Sequence, residues 1–115
     1  MSVKILPFRF PGIDGVGCAF QLRTDAGTDV SGGNISFTVG EDADAVAQHR
    51  RDLLGACGVE RWAELHQVHR DDIIYEPDAV SPEDTPQVDA DGMATRQKGL
   101  ALLIKTADCQ PVLIA

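Results

Sequence analysis

The alternation of apolar and polar positions predicts a series of short strands interrupted by one helix. Apolar, β-branched and aromatic residues are concentrated in strand-like segments, namely residues 16–23, 35–39, 62–68, 73–75 and 100–106. Turn-forming and charged residues are concentrated between them, at residues 7–12, 24–33, 77–86 and 89–92. Pro111 is placed to open a further strand, because proline is tolerated at the first position of a strand but not in its interior.

Residues 42–57 carry the clearest helical pattern. Apolar residues recur there at helical spacing and define one face, which comprises Val46, Leu53, Leu54 and Cys57. Asp42 or Asp44 can cap the start of this helix, and Gly58 follows as its C-terminal stop. One helix among many strands predicts an α+β fold or a layered α/β sandwich.

The nearly continuous apolar run 100–106 is typical of a strand that is covered on both faces. A length of 115 residues is enough for one hydrophobic core, so a single domain is expected over residues 1–115.

The net charge and the distribution of apolar residues disfavour several classes of binding partner. The formal net charge of −8 disfavours binding to nucleic acid and to anionic membrane surfaces. Apolar stretches are too short to span a bilayer, and the first residues lack the features of a signal peptide. These features predict a soluble, cytoplasmic protein.

The cysteines are too few and too widely spaced for a disulfide framework. None belongs to a CxxC pair, so a metal site would have to combine distant parts of the chain. Cys57, on the apolar helix face, and Cys18, in a strand, are predicted to be small buried core residues. Cys109 differs because it follows Asp108 between two apolar runs, where a thiol and a carboxylate meet at a strand junction.

The histidines are predicted to have different environments. His66 and His69 lie three positions apart, so in a strand they point to opposite faces. His69 is beside the charged residues 70–72 and is the better candidate for an open site, whereas His66 is predicted to be buried or structural. His49, on the helix, is expected at the surface.

A cysteine and a histidine from separate loops support more than one chemistry. His69 could activate Cys109 as the nucleophile of a metal-free hydrolase. Alternatively, both could bind a metal ion, usually zinc, although a catalytic zinc normally has three protein ligands and only Asp108 is an additional candidate. A buried cysteine beside an unrelated surface histidine is the simplest interpretation of the spacing alone.

Three motifs occur in order along the chain: Gln67-Val68-His69, Asp91-Gly92 with Thr95, and Thr106-Ala107-Asp108-Cys109-Gln110-Pro111-Val112-Leu113. Shorter motifs precede them, namely Asn34-Ile35-Ser36, Gly40-Glu41 and His49-Arg50. Together they resemble the YfiH/laccase-domain family, also called the multicopper polyphenol oxidase family. The resemblance covers residues 17–115 and implies a layered α/β sandwich of the cysteine-hydrolase-like type, incomplete at its C-terminus.

The resemblance also implies an activity. It implies a zinc-dependent purine nucleoside phosphorylase that uses inorganic phosphate and has adenosine deaminase activity in the same pocket. His69 and Cys109 are the implied metal ligands, with zinc favoured over copper, and a further histidine would follow residue 115. Asp108 is the candidate for orienting a ligand or accepting a proton.

Three polar residues are candidates for contacts with phosphate or ribose: Asn34, Arg23 and Arg50. Arg50 lies close to the apolar helix face, where an arginine can extend to solvent, pair with an acid or bind an anion. Three positions depart from the family pattern, because Arg70 replaces a glycine, His49 an asparagine and Glu41 an aspartate.

The resemblance identifies the chain as an N-terminal portion of such a protein, which leaves an alternative open. The chain could be a non-enzymatic fragment that binds metal and self-associates. A homo-oligomer would then cover the apolar segment Leu113-Ile114-Ala115 and the neighbouring strand edges.

Overall fold

The computed structural model describes residues 3–23, 32–38, 40–106 and 110–115. Within these residues the chain forms one helix and six strands, which confirms the α+β class. In chain order the elements are β1 Lys4–Arg9, β2 Gly17–Leu22, α1 Ala43–Cys57, β3 Arg61–Glu64, β4 Ile73–Tyr75, β5 Gly92–Ala94 and β6 Leu100–Leu103.

The strands pair two by two. β1 and β2 form an antiparallel hairpin, whereas β3 pairs with β6 and β4 pairs with β5 in parallel. The parallel pairs bring distant parts of the sequence together, because Glu64 lies opposite Leu103 and Ile73 lies opposite Gly92. The segments that follow β3 and β6 therefore leave the same edge of one sheet.

The helix was predicted correctly, together with its caps. The Asp42 carboxylate accepts a hydrogen bond from the backbone N–H of Ala45 at 3.1 Å, and Gly58 ends the helix in the left-handed conformation with φ 68°. The helix buries Val46 and Leu53. Leu53 packs with Val3 and Trp62 in the core, which partly buried apolar residues surround: Ile5, Ile35, Leu54, Ala56, Val80, Ala101 and Leu103.

Both predictions of a buried core cysteine were wrong. Cys57 is exposed, because it lies on the last turn of α1, beyond the residues of the helix that reach the core. Cys18 is half-buried in the β1–β2 hairpin, where its thiol donates to the carbonyl oxygen of Phe8 at 3.6 Å.

Strand β1 was missed because Pro7 suggested a turn. Pro7 lies opposite Ala19 in the hairpin, and the chain turns only after β1, where Ile13 N–H donates to the Phe10 carbonyl oxygen. A two-stranded hairpin accepts proline because half of the backbone groups of each strand need no strand partner. The strand predicted at residues 16–23 is confirmed as β2.

The prediction of a strand at residues 35–39 was wrong over the described residues 35–38. Asn34 Oδ1 accepts the backbone N–H of Ser36 at 2.9 Å, and this local bond competes with strand pairing. Residues 62–68 form a strand only as far as Glu64. Beyond it, His66 still bonds to the backbone of Val88 and Ala90, whereas Gln67 and Val68 bond to partners through side chains. Residues 73–75 form β4 as predicted, whereas β5 was not predicted and begins at Gly92, the last residue of the predicted turn.

The end of the described chain also differs from expectation. The strand predicted at residues 100–106 is confirmed over Leu100–Leu103, but its residues are half-buried because β3 is its only hydrogen-bonded neighbour in the described part of the chain. Residues 110–115 form no strand after Pro111, and Ile114 is 91% exposed. No described helix is long and apolar enough to cross a membrane.

Candidate functional site

The His69 turn, which comprises residues 68–70, lies in the loop between β3 and β4. One carboxylate organises it. Asp91 Oδ1 accepts the backbone N–H groups of Val68 and His69 at 3.0 and 2.9 Å, and Asp91 Oδ2 accepts that of Arg70 at 2.7 Å. These hydrogen bonds, that from Arg70 above all, hold the pKa of the Asp91 carboxyl below its usual value.

The His69 side chain is exposed, as predicted, and its backbone is left-handed with φ 61°. Among the residues that the structure describes, the hydrogen bonds of this turn are made by backbone N–H groups and do not involve the His69 imidazole. A ring that is accessible while its backbone is fixed can accept a metal ion or exchange a proton.

Gln67 connects this turn to the segment that leads to Cys109. Its side-chain Nε2 donates to the carbonyl oxygen of Lys105 at 2.8 Å, and its Oε1 accepts the Lys105 backbone N–H at 2.8 Å. The amide thus continues the β3–β6 pairing two residues beyond Leu103. Asp108 and Cys109 lie outside the described residues.

A buried ion cluster, comprising Arg50, Glu64 and Lys105, is connected to the turn through the bonds between Lys105 and Gln67. Arg50 Nη1 donates to Glu64 Oε1 at 2.7 Å, Arg50 Nη2 donates to Oε2, and Lys105 Nζ donates to the same Oε2 at 2.7 Å. The side chains of Arg50 and Glu64 are 1% and 0% exposed. One carboxylate therefore accepts hydrogen bonds from a fully buried guanidinium and from a partly exposed ammonium.

Further contacts fix the Arg50 guanidinium in this place. Its Nε donates to the carbonyl oxygen of Ile35 at 2.7 Å, and its Nη1 donates to that of Pro82 at 3.0 Å. The guanidinium also lies 4.6 Å from the ring centroid of Phe37 and 5.7 Å from that of Trp62. Of the options that the sequence left open, the described structure adopts pairing with an acid.

Asn34 lies beside Arg50 and is also engaged. Its Nδ2 donates to the Ser36 carbonyl oxygen at 2.9 Å and to Glu41 Oε2 at 3.0 Å. The backbone oxygen of Asn34 lies 2.6 Å from His49 Nδ1, and His49 is buried, so its predicted surface position was wrong. Helix α1 therefore anchors the segment around Asn34 through His49 and Arg50.

Of the two environments predicted for His66, buried or structural, burial was wrong because the residue is exposed. Its Nδ1 lies 2.8 Å from Asp89 Oδ1, and the two side chains are 54% and 66% exposed. The backbone of His66 bonds to Val88 and Ala90, which turns its ring to the surface. Arg23, the remaining candidate, is exposed at the end of β2 and lies against Gly32.

The predicted site residues therefore fall into two groups. Asn34 and Arg50 lie together at α1, and His69 lies beyond β3, while Glu64, Lys105 and Gln67 connect them. Sequence reasoning named none of these three connecting residues as a site residue. The available signal was Glu64 itself, a carboxylate between the apolar Ala63 and Leu65 in a strand, because a buried acid requires a cationic partner.

The described residues contain no group of three or more His, Cys, Asp or Glu side chains that could hold a metal ion. The chemistry of an imidazole and a thiolate nevertheless suits zinc, which binds nitrogen and sulfur. His69 fits such a donor set because it is exposed and its backbone is held by Asp91.

Comparison with known proteins identifies a single family. The sequence profile described as multi-copper polyphenol oxidoreductase laccase matches residues 18–115. This range contains every residue assigned above to the His69 turn and the buried ion cluster.

The curated relatives share one description. A protein of Mycobacterium tuberculosis named purine nucleoside phosphorylase is 39% identical over 84 residues, which cover 71% of this chain and 32% of the relative. Proteins with the same description from Streptomyces coelicolor and Corynebacterium glutamicum are 37% and 35% identical, each covering 71% of this chain and 34% of the relative. The chain thus spans about a third of the length of the curated relatives it matches. No solved structure matches the chain.

Proposed function

Since the chain belongs to the multi-copper polyphenol oxidoreductase laccase family, we propose that the protein is a purine nucleoside phosphorylase. The observation that carries this proposal is the name of the relatives, which are purine nucleoside phosphorylases at 35% to 39% identity. The chain spans about a third of their length, so the activity and the purine nucleoside substrate are both part of the proposal.

In the proposed reaction an oxygen of inorganic phosphate forms a bond to the ribose C1′ as the glycosidic bond breaks. The purine leaves with the electron pair of that bond and takes up a proton, so the products are free base and ribose 1-phosphate. The protein's task is to place the two reactants in line and to stabilise the charge that develops. Asp108 is the proposed residue for orienting a ligand or exchanging the proton.

Zinc is the proposed metal, in preference to copper, with His69 and Cys109 as two of its ligands. The support is that the His69 imidazole is exposed on a turn held by Asp91, and that Gln67 ties this turn to the backbone that continues towards Cys109. When bound, zinc would supply Lewis-acid chemistry and lower the pKa of a coordinated water.

The same pocket is proposed to deaminate adenosine, in which water adds at the purine C6 and ammonia leaves. For phosphate and ribose contacts, Asn34, Arg50 and Arg23 stay the proposed candidates. The Arg50 guanidinium is hydrogen-bonded to Glu64. To contact phosphate it would have to give up these bonds and form bonds to the anion instead. The proposed architecture of the complete domain is a layered α/β sandwich.

The decisive experiment measures the release of purine base from adenosine, inosine and guanosine by the purified protein, with and without phosphate. We expect release that depends on phosphate and is lost in Cys109→Ala. Cys57→Ala is the matched control, because Cys57 is exposed at the end of α1, and it should keep the activity. Inosine formed from adenosine without phosphate would report the deaminase reaction. Release that needs no phosphate, or that persists in Cys109→Ala, would overturn the proposal.

A second candidate is a non-enzymatic, self-associating, metal-binding protein. The observation that favours it is the exposure of large apolar residues at the end of the described chain, where Val112 and Ile114 are 78% and 91% exposed. The solution mass distinguishes this candidate, since it requires an oligomer and predicts dissociation in a double variant Val112→Ser with Ile114→Ser. A monomer at all concentrations would exclude it.

A further inference from the structure

A single carboxylate holds the turn that carries His69. The backbone N–H groups of three consecutive residues, Val68, His69 and Arg70, converge on Asp91 at 3.0, 2.9 and 2.7 Å. Consecutive N–H groups that converge in this way form an anion-binding concavity. Here the bound anion is a side chain of the same protein, supplied from 21 to 23 residues further along the chain.

The conformation of His69 needs such support. Its φ of 61° lies in the left-handed region, which residues other than glycine rarely adopt. A residue persists in this region when surrounding contacts determine its backbone. Without the Asp91 carboxylate, the three N–H groups would turn to water and the direction of the His69 imidazole would no longer be fixed.

Asp91 is itself held in place by the β4–β5 pair. Its own N–H and that of Gly92 donate to the Asp72 carbonyl oxygen at 3.2 and 3.1 Å. Gly92 packs so closely on β4 that an added Cβ would lie 3.0 Å from the Ile73 side chain. The carboxylate therefore projects from the start of a strand whose position is fixed.

We propose that Asp91 is a positioning residue, which orients the His69 imidazole for metal binding through the backbone of the turn. The inference rests on the proposed function, because it takes His69 to be a metal ligand. Asp91 is assigned a supporting role rather than that of a ligand, since both of its oxygens accept hydrogen bonds from the turn.

The chain contains a matched control for this role. Glu76, directly after β4, accepts the backbone N–H of Arg96 at 2.7 Å and the Thr95 hydroxyl at 2.8 Å. It therefore connects the other ends of β4 and β5 by the same kind of bond, from an exposed carboxylate where Asp91 is half-buried. Loss of Glu76 should remove hydrogen bonds only at the far end of the strand pair. The Asp72 carbonyl oxygen would still hold Asp91 and Gly92 at the near end, so the His69 turn should stay in place.

The test is a titration of the purified protein with Co²⁺, a spectroscopic substitute for zinc, followed by the charge-transfer absorption that a cysteine thiolate gives when it binds cobalt. Asp91→Ala should weaken Co²⁺ binding about 10- to 100-fold, the usual loss when a residue that supports a ligand is removed. Asp91→Asn should fall between wild type and Asp91→Ala, because its remaining oxygen can accept the N–H groups of Val68 and His69 but its amide cannot accept that of Arg70. Glu76→Ala should bind Co²⁺ as the wild type does.

Amide hydrogen exchange of residues 68–70, measured without metal, tests independently whether Asp91 holds the backbone of the turn. Faster exchange in Asp91→Ala, together with weaker Co²⁺ binding, supports the proposal. Wild-type Co²⁺ affinity in Asp91→Ala, or an equal loss in Glu76→Ala, would overturn it while leaving the proposed metal site intact. If the wild-type protein itself gives no thiolate absorption, the metal site of the proposed function fails, and unchanged amide exchange in Asp91→Ala would separately refute the control of the turn by Asp91.

Discussion

The buried ion cluster and the His69 turn use carboxylates in opposite ways. In the cluster, Glu64 is 0% exposed and forms ion pairs with the side chains of Arg50 and Lys105. In the turn, Asp91 binds backbone N–H groups and leaves the His69 imidazole at the surface. The Glu64 carboxylate binds other side chains and so stabilises the fold. The Asp91 carboxylate binds backbone N–H groups, so the His69 side chain stays available for chemistry.

The largest effect is expected from the cluster, where Glu64→Gln would leave the Arg50 guanidinium buried without a counter-charge. Arginine cannot lose its proton in a protein, so the free energy of unfolding should fall by about 3–5 kcal/mol. Urea denaturation measures this loss.

The control for that variant is Glu83→Gln, because Glu83 makes an exposed pair with Arg51 at 2.7 Å. An exposed pair contributes about 0–1 kcal/mol. If Glu64→Gln and Glu83→Gln lowered the free energy of unfolding equally, the buried cluster would contribute no more to stability than an exposed pair.

A smaller loss is expected where the two regions meet, at Gln67. Gln67→Ala would remove both hydrogen bonds to the backbone of Lys105, leaving partly buried groups without partners. The free energy of unfolding should fall by about 1–3 kcal/mol, with faster amide exchange at Lys105. Gln97→Ala, at an exposed position, is the control, and exchange at Lys105 that stays unchanged in Gln67→Ala would contradict the connecting role.

Lowering the pH should remove the contribution that Glu76 makes to the free energy of unfolding. The backbone hydrogen bond from Arg96, with that from the Thr95 hydroxyl, lowers the pKa of Glu76 below its usual value. A carboxyl whose pKa is lower in the folded state stabilises the protein above its unfolded pKa and loses that contribution as the pH falls through its folded pKa. The difference in unfolding free energy between wild type and Glu76→Gln should therefore be full at neutral pH and vanish below that lowered pKa. A difference that grows with acidity would refute this assignment.

The smallest effect is expected at the exposed pair of His66 and Asp89. Both side chains are more than half exposed, so Asp89→Asn should change the free energy of unfolding by less than about 1 kcal/mol. A loss comparable to that of Glu64→Gln would mean that the surface pair supports the fold, which would remove the contrast between the two regions.

Local signals in the sequence predicted the elements that local interactions determine. Helix α1 follows from its apolar spacing and from caps at Asp42 and Gly58, and these contacts lie within one turn of each helix end. The proline-containing strand β1 was missed because its pairing depends on β2, which local preference does not encode.

The environments of His49 and His66 could not be predicted from the local sequence pattern. His49 is buried because its Nδ1 meets the Asn34 backbone oxygen 15 residues away, and His66 is exposed because its backbone bonds to residues 88 and 90. The exposed position of His69 followed from its charged neighbours. The partners Glu64 and Asp91 required knowledge of which strands pair, since each connects segments distant in sequence.

The most direct test of the central claim compares two exposed histidines that lie three residues apart. Phosphate-dependent release of purine base from adenosine should be lost in His69→Ala and retained in His66→Ala, with the unfolding midpoint of both variants close to that of the wild type. Activity that survives in His69→Ala, or that His66→Ala loses equally, would contradict the assignment of chemistry to the His69 turn.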